Sequence, residues 1–417
     1  MSTCEIESGA GLAVAEAERA AAAPAPGARL DGVDFLRGLV MVVMALDHAR
    51  FFLHRDIPVG VDPLDLSQTT PALFLTRWVT HFCAPVFVFL AGAGAFLYGR
   101  RGRTKSELAR FLLTRGLWLI LLEFTVVRFG WTFNLDTRLS FAVVLWALGW
   151  SMIVLAGLVY LPLRAVAATG ILVVAGHNLL DAVGPESFGA LGWLWKVLHV
   201  PGLIQLSTGH GLVVTYPLVP WAAVMACGYA FGALLLKPRE ERRALVLKLG
   251  AALTLAFVLL RAANVYGDPQ PWAAQKNWLY TIFSFLNTEK YPPSLLFLLM
   301  TLGPALIVLA LADRASRAWA KFFVVFGRVP LFYYLLHFFV IHLFALALSY
   351  ARYGEAPWLF TGPPWSPGLM ASFPKGYGYD LWVVYLVWVG AVALLYPASL
   401  WFSRVKREGR VSWLSYL

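Results

Sequence analysis

Apolar residues run through this chain in long stretches separated by short polar ones, and the stretches have membrane length. About ten are candidates to span a bilayer as helices of ~20 residues. They fall at 35–53, 76–98, 107–129, 140–161, 164–182, 212–236, 244–264, 293–313, 322–349 and 379–403. Pro162, in LPLR at 161–164, supports the break between the fourth and fifth, because a proline ring removes a helical hydrogen bond. Segment 187–200, SFGALGWLWKVLHV, is expected to form a helix lying along an interface. The pattern predicts an all-α fold, a polytopic integral membrane helical bundle.

Loop charges orient the bundle. Basic residues gather in GRRGRTK at 99–105, at Arg164, in KPREERR at 237–243, in DRASRAWAK at 313–321 and in RVKREGR at 404–410. With ten helices these loops share one side, while 54–75, 130–139, 183–211, 265–292 and 350–378 carry fewer Lys and Arg for their length. Excess Lys and Arg marks cytoplasmic loops, so both termini are expected in the cytoplasm. Residues 1–29 read as a disordered cytoplasmic tail, 30–405 as the transmembrane domain and 406–417 as a basic cytoplasmic tail.

Composition agrees. The chain is 59% hydrophobic and 14% charged, with a mean hydropathy of +0.68, against roughly 25% charged residues in a soluble domain. A net charge of +11 would suit nucleic acid, but its confinement to alternate loops argues against such a partner. Membrane lipid is the expected surrounding. Cys4, Cys83 and Cys227 suggest neither a disulfide framework nor a zinc site. No His, Cys and Asp group has metal-ligand spacing, so no metal is expected. Neither a Walker-type loop nor a G-x-S-x-G elbow occurs, which disfavours an ATP-driven pump and a hydrolase of that type.

Candidate chemistry concentrates in LDGVDFLRGLVMVVMALDHAR at 30–50. Charge within a membrane segment is costly unless paired or facing a polar cavity, so it usually marks function. At about 100° per residue Arg37 and His48 lie about 20° apart on the helical wheel, with Asp34 within about 40° of His48. His48 stands roughly 16 Å further along the axis than Arg37. Imidazole titrates near neutrality and suits proton transfer. Asp47 adjoins His48 in sequence but points about 100° away.

Other polar residues carry two readings each. His81 shares a helix face with Arg77 and Pro85 and either completes the His48 cavity or satisfies packing. Glu123 is expected to pair with an arginine of another helix. Glu289 and Lys290, before Pro292 and Pro293, either receive an extracytoplasmic substrate or form a plain loop. In FGRVPLFYYLLHFFVIH at 326–342, Arg328 and the Gly–Pro break are placed along a cavity, His337 in the interior and His342 nearer the outer boundary. Arg100, Arg101, Arg103 and Lys105 either bind the phosphates of a cytosolic donor or serve only to orient the chain.

Asp34-x-x-Arg37-Gly38, followed by His48, resembles the first-helix signature of transmembrane acyltransferases, most closely bacterial members of the heparan-α-glucosaminide N-acetyltransferase family. HFCAPVFVFLAGAGAFLYGRR and FGRVPLFYYLLHFFVIH resemble the family's second and late helices. The resemblance implies a tunnel through which cytoplasmic acetyl-CoA, as co-substrate, delivers its acyl group to a glycan or amino-sugar acceptor on the far side. Asp34, Arg37, Arg100 and Arg101 would hold the donor, and His48 would be the base, with Asp47 and His81 nearby. In the animal lysosomal enzyme the position matching His48 is an asparagine and the proposed catalytic histidine lies in the following loop, where His54 is the histidine present here. Glu289, Lys290 and His337 would serve the acceptor. Ala, Arg and Gly bias suggests a bacterial source and hence a multi-pass protein of the inner membrane; a homodimer is allowed. A proton-coupled transporter or flippase of a small solute or lipid-linked sugar is the rival reading.

Overall fold

The structure, a computed structural model, describes residues 30–312, 318–362 and 372–408. The expected N-terminal tail lies outside these residues. The last helix runs to Glu408, and the rest of the expected C-terminal tail, 409–417, lies outside the described residues.

The chain folds as a helical bundle. In order, the helices are α1 (Asp31–Leu53), α2 (Pro71–Val79), α3 (Cys83–Gly99), α4 (Lys105–Leu122), α5 (Arg128–Thr132), α6 (Val144–Leu158), α7 (Leu163–Gly176), α8 (Gly192–Leu198), α9 (Leu218–Phe231), α10 (Arg239–Ala263), α11 (Trp278–Leu286), α12 (Leu295–Ala312), α13 (Ala318–Arg328), α14 (Pro330–Tyr353) and α15 (Leu381–Glu408). Among the described residues, seven helical stretches are long and apolar enough to cross a membrane: Pro71–Gly99, Leu163–Leu180, Leu218–Leu236, α10, α12, α14 and α15. The 23-residue α1 has the length but carries Asp31, Asp34, Arg37, Asp47 and Arg50. Its burial explains how that is tolerated. It sits at the centre of the bundle, packed on α3, α12, α13, α14 and α15, with apolar residues buried all around its circumference, the signature of a core helix.

Local chemistry sets the helix ends. Thr104 and Glu107 form a reciprocal capping box at the start of α4. Thr70 caps α2 by accepting from the Leu73 N–H, and Pro71 occupies the first turn. The break predicted at Pro162 is present between α6 and α7. The expected single segment 322–349 is divided at Val329, because Pro330 opens α14 and cannot continue α13.

Strands correct the all-α expectation. Leu139–Ala142 (β1), Gly202–Ser207 (β2) and His210–Val214 (β3) form a small sheet in the order β1-β3-β2, with β1 parallel and β2 antiparallel to β3. Residues expected to begin the segments 140–161 and 212–236 are thus strand, and helix starts only at Val144 and Leu218. Alternating Leu139 and Phe141, and Leu212 and Val214, carry the period-2 pattern of a strand. Gly209 permits the tight β2–β3 turn at φ +83°. The segment 187–200, expected to be one helix, is a 3-10 turn, Pro185–Leu191, followed by α8.

The two ends of the bundle differ. Arg101, Arg328 and Lys406 converge with Asp34 at one end. At the other, Arg55 meets Asp380 at 2.5 Å and His54 bridges Tyr379.

Candidate active site

Two glycines seat the polar start of α1. A Cβ on Gly38 would lie 1.8 Å from the Phe323 carbonyl oxygen, and one on Gly327 would lie 1.8 Å from that of Asp34. Helices α1 and α13 therefore touch backbone to backbone, as small residues allow in membrane bundles. The contact brings the Arg37 guanidinium to the Gly327 carbonyl at 3.1 Å and to Asp34 at 3.4 Å. Arg328 lies 3.2 Å from Asp31 and 3.9 Å from Asp34.

Beside these residues opens a cavity of about 420 Å³. Arg37, Arg101, Arg115, Arg328 and Lys406 line it together with the carboxylate of Asp34. Deeper walls are apolar, with Met41, Leu90, Leu145 and Leu331, and Tyr334 also lines it. A cationic rim over an apolar interior suits a ligand with a polyanionic head and a slender uncharged arm. Of the two loop arginines singled out by sequence, Arg101 lines the cavity; Arg100 instead lies 5.4 Å from the Phe96 ring centre. Sequence reasoning found no role for Arg115 in this site and placed Lys406 in a tail, because their convergence depends on how α4 and α15 pack around α1.

Tyr334 connects this cavity to the histidines. The His337 Nδ1 bonds the Tyr334 carbonyl oxygen, one turn back on α14, and its Nε2 lies 2.5 Å from His48 Nδ1 on α1. A backbone carbonyl can only accept, so His337 Nδ1 carries a proton. Neutral His337 must then accept through Nε2, and His48 must donate through Nδ1. The chain of bonds leaves the lone pair of the pair on His48 Nε2. Aromatic rings wall in the couple: Phe338 stacks on His48 at 4.5 Å and Trp131 meets it edge-on at 5.0 Å. Sequence had placed His337 in the interior, on the acceptor side; its contact with His48 spans 289 residues and was not legible.

Asp47 faces a different set of groups. Its carboxylate lies 3.3 Å from Arg50 and 2.5 Å from Arg77 of α2. Lys290, buried beside Tyr291, is near enough to act electrostatically on Asp47 and His48. Tyr291 in turn packs edge-on against Tyr216 and lies near enough to Arg77 to act on it electrostatically. Within this buried network the hydrogen bonds of Asp47 hold arginines, not the His48 imidazole. His81, fully buried in the 3-10 turn between α2 and α3, packs against Phe297 with both ring nitrogens lacking a hydrogen bond among the described residues.

The remaining candidates stand apart. His54 caps α1, accepting from the Asp56 N–H at 3.4 Å. Glu289 accepts from the Tyr291 N–H within its own turn. Among the described residues Glu123 pairs with no arginine: it accepts from the Trp146 N–H at 3.0 Å and so caps α6. His342 is wholly buried, with Nδ1 3.0 Å from the Gly130 carbonyl. The fold also gathers His177, Asp181 and His199, although spacing along the chain suggested no such group.

Comparison with protein families decides among the readings. Residues 29–266, more than half of the chain, match the heparan-alpha-glucosaminide N-acetyltransferase catalytic family. The chain belongs to this family. It is thus an acetyltransferase-family protein with membrane-crossing helices. Comparison with curated proteins gave no match. The stretch that matches the N-acetyltransferase family holds α1, Arg101 and Arg115, whereas Arg328, Tyr334, His337 and Lys406 come from helices beyond it.

Proposed function

We propose that this protein is a membrane acetyltransferase that takes its acyl group from acetyl-CoA at the basic, cytoplasmic end of the bundle. The acceptor is a sugar hydroxyl or amine of an envelope glycan, presented at the opposite face of a bacterial inner membrane. The observation that carries the proposal is the cationic cavity lined by Tyr334, whose carbonyl holds the His337–His48 couple.

Phosphates of the donor would be held by Arg37, Arg101, Arg115, Arg328 and Lys406, with Asp34 fixing the direction of Arg37. The apolar walls would take the pantetheine arm. Arg37 and His48 stand roughly 16 Å apart along α1, a distance such an arm can bridge. His48 Nε2 removes the proton from the acceptor O–H or N–H as that atom attacks the thioester carbonyl. The C–S bond breaks, and the CoA sulfur recovers the proton from His48. His337 stabilises the imidazolium that forms, because its Nε2 accepts from His48 Nδ1. Phe338 and Trp131 keep bulk water off the couple and limit hydrolysis of the thioester.

Radiolabelled acetyl-CoA supplied outside liposomes, with a glycan fraction inside, tests the scheme. Acceptor-dependent CoA release by wild type, lost in His48→Ala, is expected. CoA release unchanged in His48→Ala would remove the core of the proposal.

A further inference from the structure

We infer that His177, Asp181 and His199 form a zinc-binding site at the end of the bundle opposite the basic loops. His177 ends α7, Asp181 follows one turn later, and His199 ends α8. One ligand atom from each lies within 4.8 Å of the other two. His199 Nε2 is already 3.4 Å from an Asp181 oxygen. The two imidazoles meet edge-on, with ring centres 5.6 Å apart at 74°.

The decisive feature is the state of the ring nitrogens. Both histidines are almost wholly buried, at 3% and 1% exposure, and no nitrogen of either ring makes a hydrogen bond of good geometry. The Pro293 carbonyl lies on the His177 side, where it can orient one N–H. Buried polar atoms normally find partners, and two adjacent imidazoles converging on a carboxylate are short of an electrophile. Two histidines and one carboxylate with a fourth place open is a zinc donor set. A tetrahedral ion would draw the ligands to roughly 3.4 Å of one another, a small contraction for side chains at helix ends. Zinc needs no redox partner and accepts irregular geometry, which favours it over iron for the same donors.

Outer contacts already orient the ligands. Asn178 donates to the free oxygen of Asp181 at 2.8 Å while its own oxygen accepts from the Leu295 N–H at the start of α12. Trp195 packs against His199 and bonds the Val183 carbonyl. Bound zinc would therefore pin the 183–199 segment to α7 and α12.

The test uses full-length protein in detergent, purified on a tag without histidine, then stripped with a chelator and titrated with Zn²⁺ against a chromophoric competitor. About one equivalent should bind, and the melting temperature should rise on binding. His199→Ala and Asp181→Asn should each weaken binding more than about tenfold, while His210→Ala, on the neighbouring hairpin, should not. Asp181→Asn keeps the shape of the site and remains readable if the histidine variant misfolds. No bound zinc in wild type, or equal binding in Asp181→Asn, overturns the site. The result is independent of acetyl transfer, since metal content is read without turnover.

Discussion

His337 Nε2 and His48 Nδ1 lie 2.5 Å apart across the α1–α14 contact, with the Tyr334 carbonyl fixing the far side of His337. The couple sets one tautomer for both rings and aims the only basic lone pair at His48 Nε2.

Loss of His337 should therefore resemble loss of His48. His337→Ala should lower kcat by about 10²- to 10⁴-fold, with the double variant scarcely worse than either single one. His337→Gln, which retains an acceptor, should recover part of that rate. Steady-state kinetics in liposomes check this, and additive effects would separate the two residues.

The rim arginines should act on the donor and not on the chemistry. Arg101→Ala and Arg115→Ala are expected to raise the KM for acetyl-CoA severalfold with kcat little changed, more steeply at low ionic strength. Arg100→Ala, which lies off the cavity, is the contrast and should leave KM alone. A KM against salt series for the three variants reads the difference.

Close packing of α1 on α13 should not tolerate a methyl group. Gly327→Ala places a Cβ 1.8 Å from the Asp34 carbonyl, and the overpacking should cost about 1–3 kcal/mol or more. Thermal melts in detergent should show it, together with weakened acetyl-CoA binding because Arg37 rests on that contact. Gly157→Ala, with open space around its Cβ and away from the cavity, should change neither.

Asp47 neutralises Arg50 and Arg77 beside Lys290. Asp47→Asn preserves shape but leaves buried guanidinium groups without a counter-charge, a loss of about 3–5 kcal/mol. A melting temperature equal to wild type would place these arginines in a wetter setting than the fold indicates.

Burial lowers the pKa of His54, at the cap of α1, from 6.5 to about 4, against the opposing pull of Asp56. The folded protein thus keeps His54 neutral where the unfolded chain protonates it. Stability from this group is full above pH 6.5 and falls as the pH drops toward 4. His54→Asn should flatten the difference in melting temperature over that window, relative to wild type.

Much of the site was legible because it lies on one helix. Asp34, Arg37 and His48 share a face of α1 by helical periodicity, and charge in an apolar stretch flags itself. Helical segments, basic loops and the Pro162 break follow equally from local chemistry. Strands at 139–142 and 210–214 escaped notice because short apolar runs beside a helix read as its continuation.

Sequence by itself determined that this chain forms membrane-length helices, that one carries buried charge, and that the charge resembles an acyltransferase signature. Only tertiary structure decided that His48 meets His337, that Arg115, Arg328 and Lys406 share a cavity with Arg37, and that His177 meets His199. The physical reason is that periodicity reports the face of a helix but not the helix it meets. Partners are selected by close backbone approach, as at Gly38 and Gly327, and that selection depends on the shape of the whole bundle.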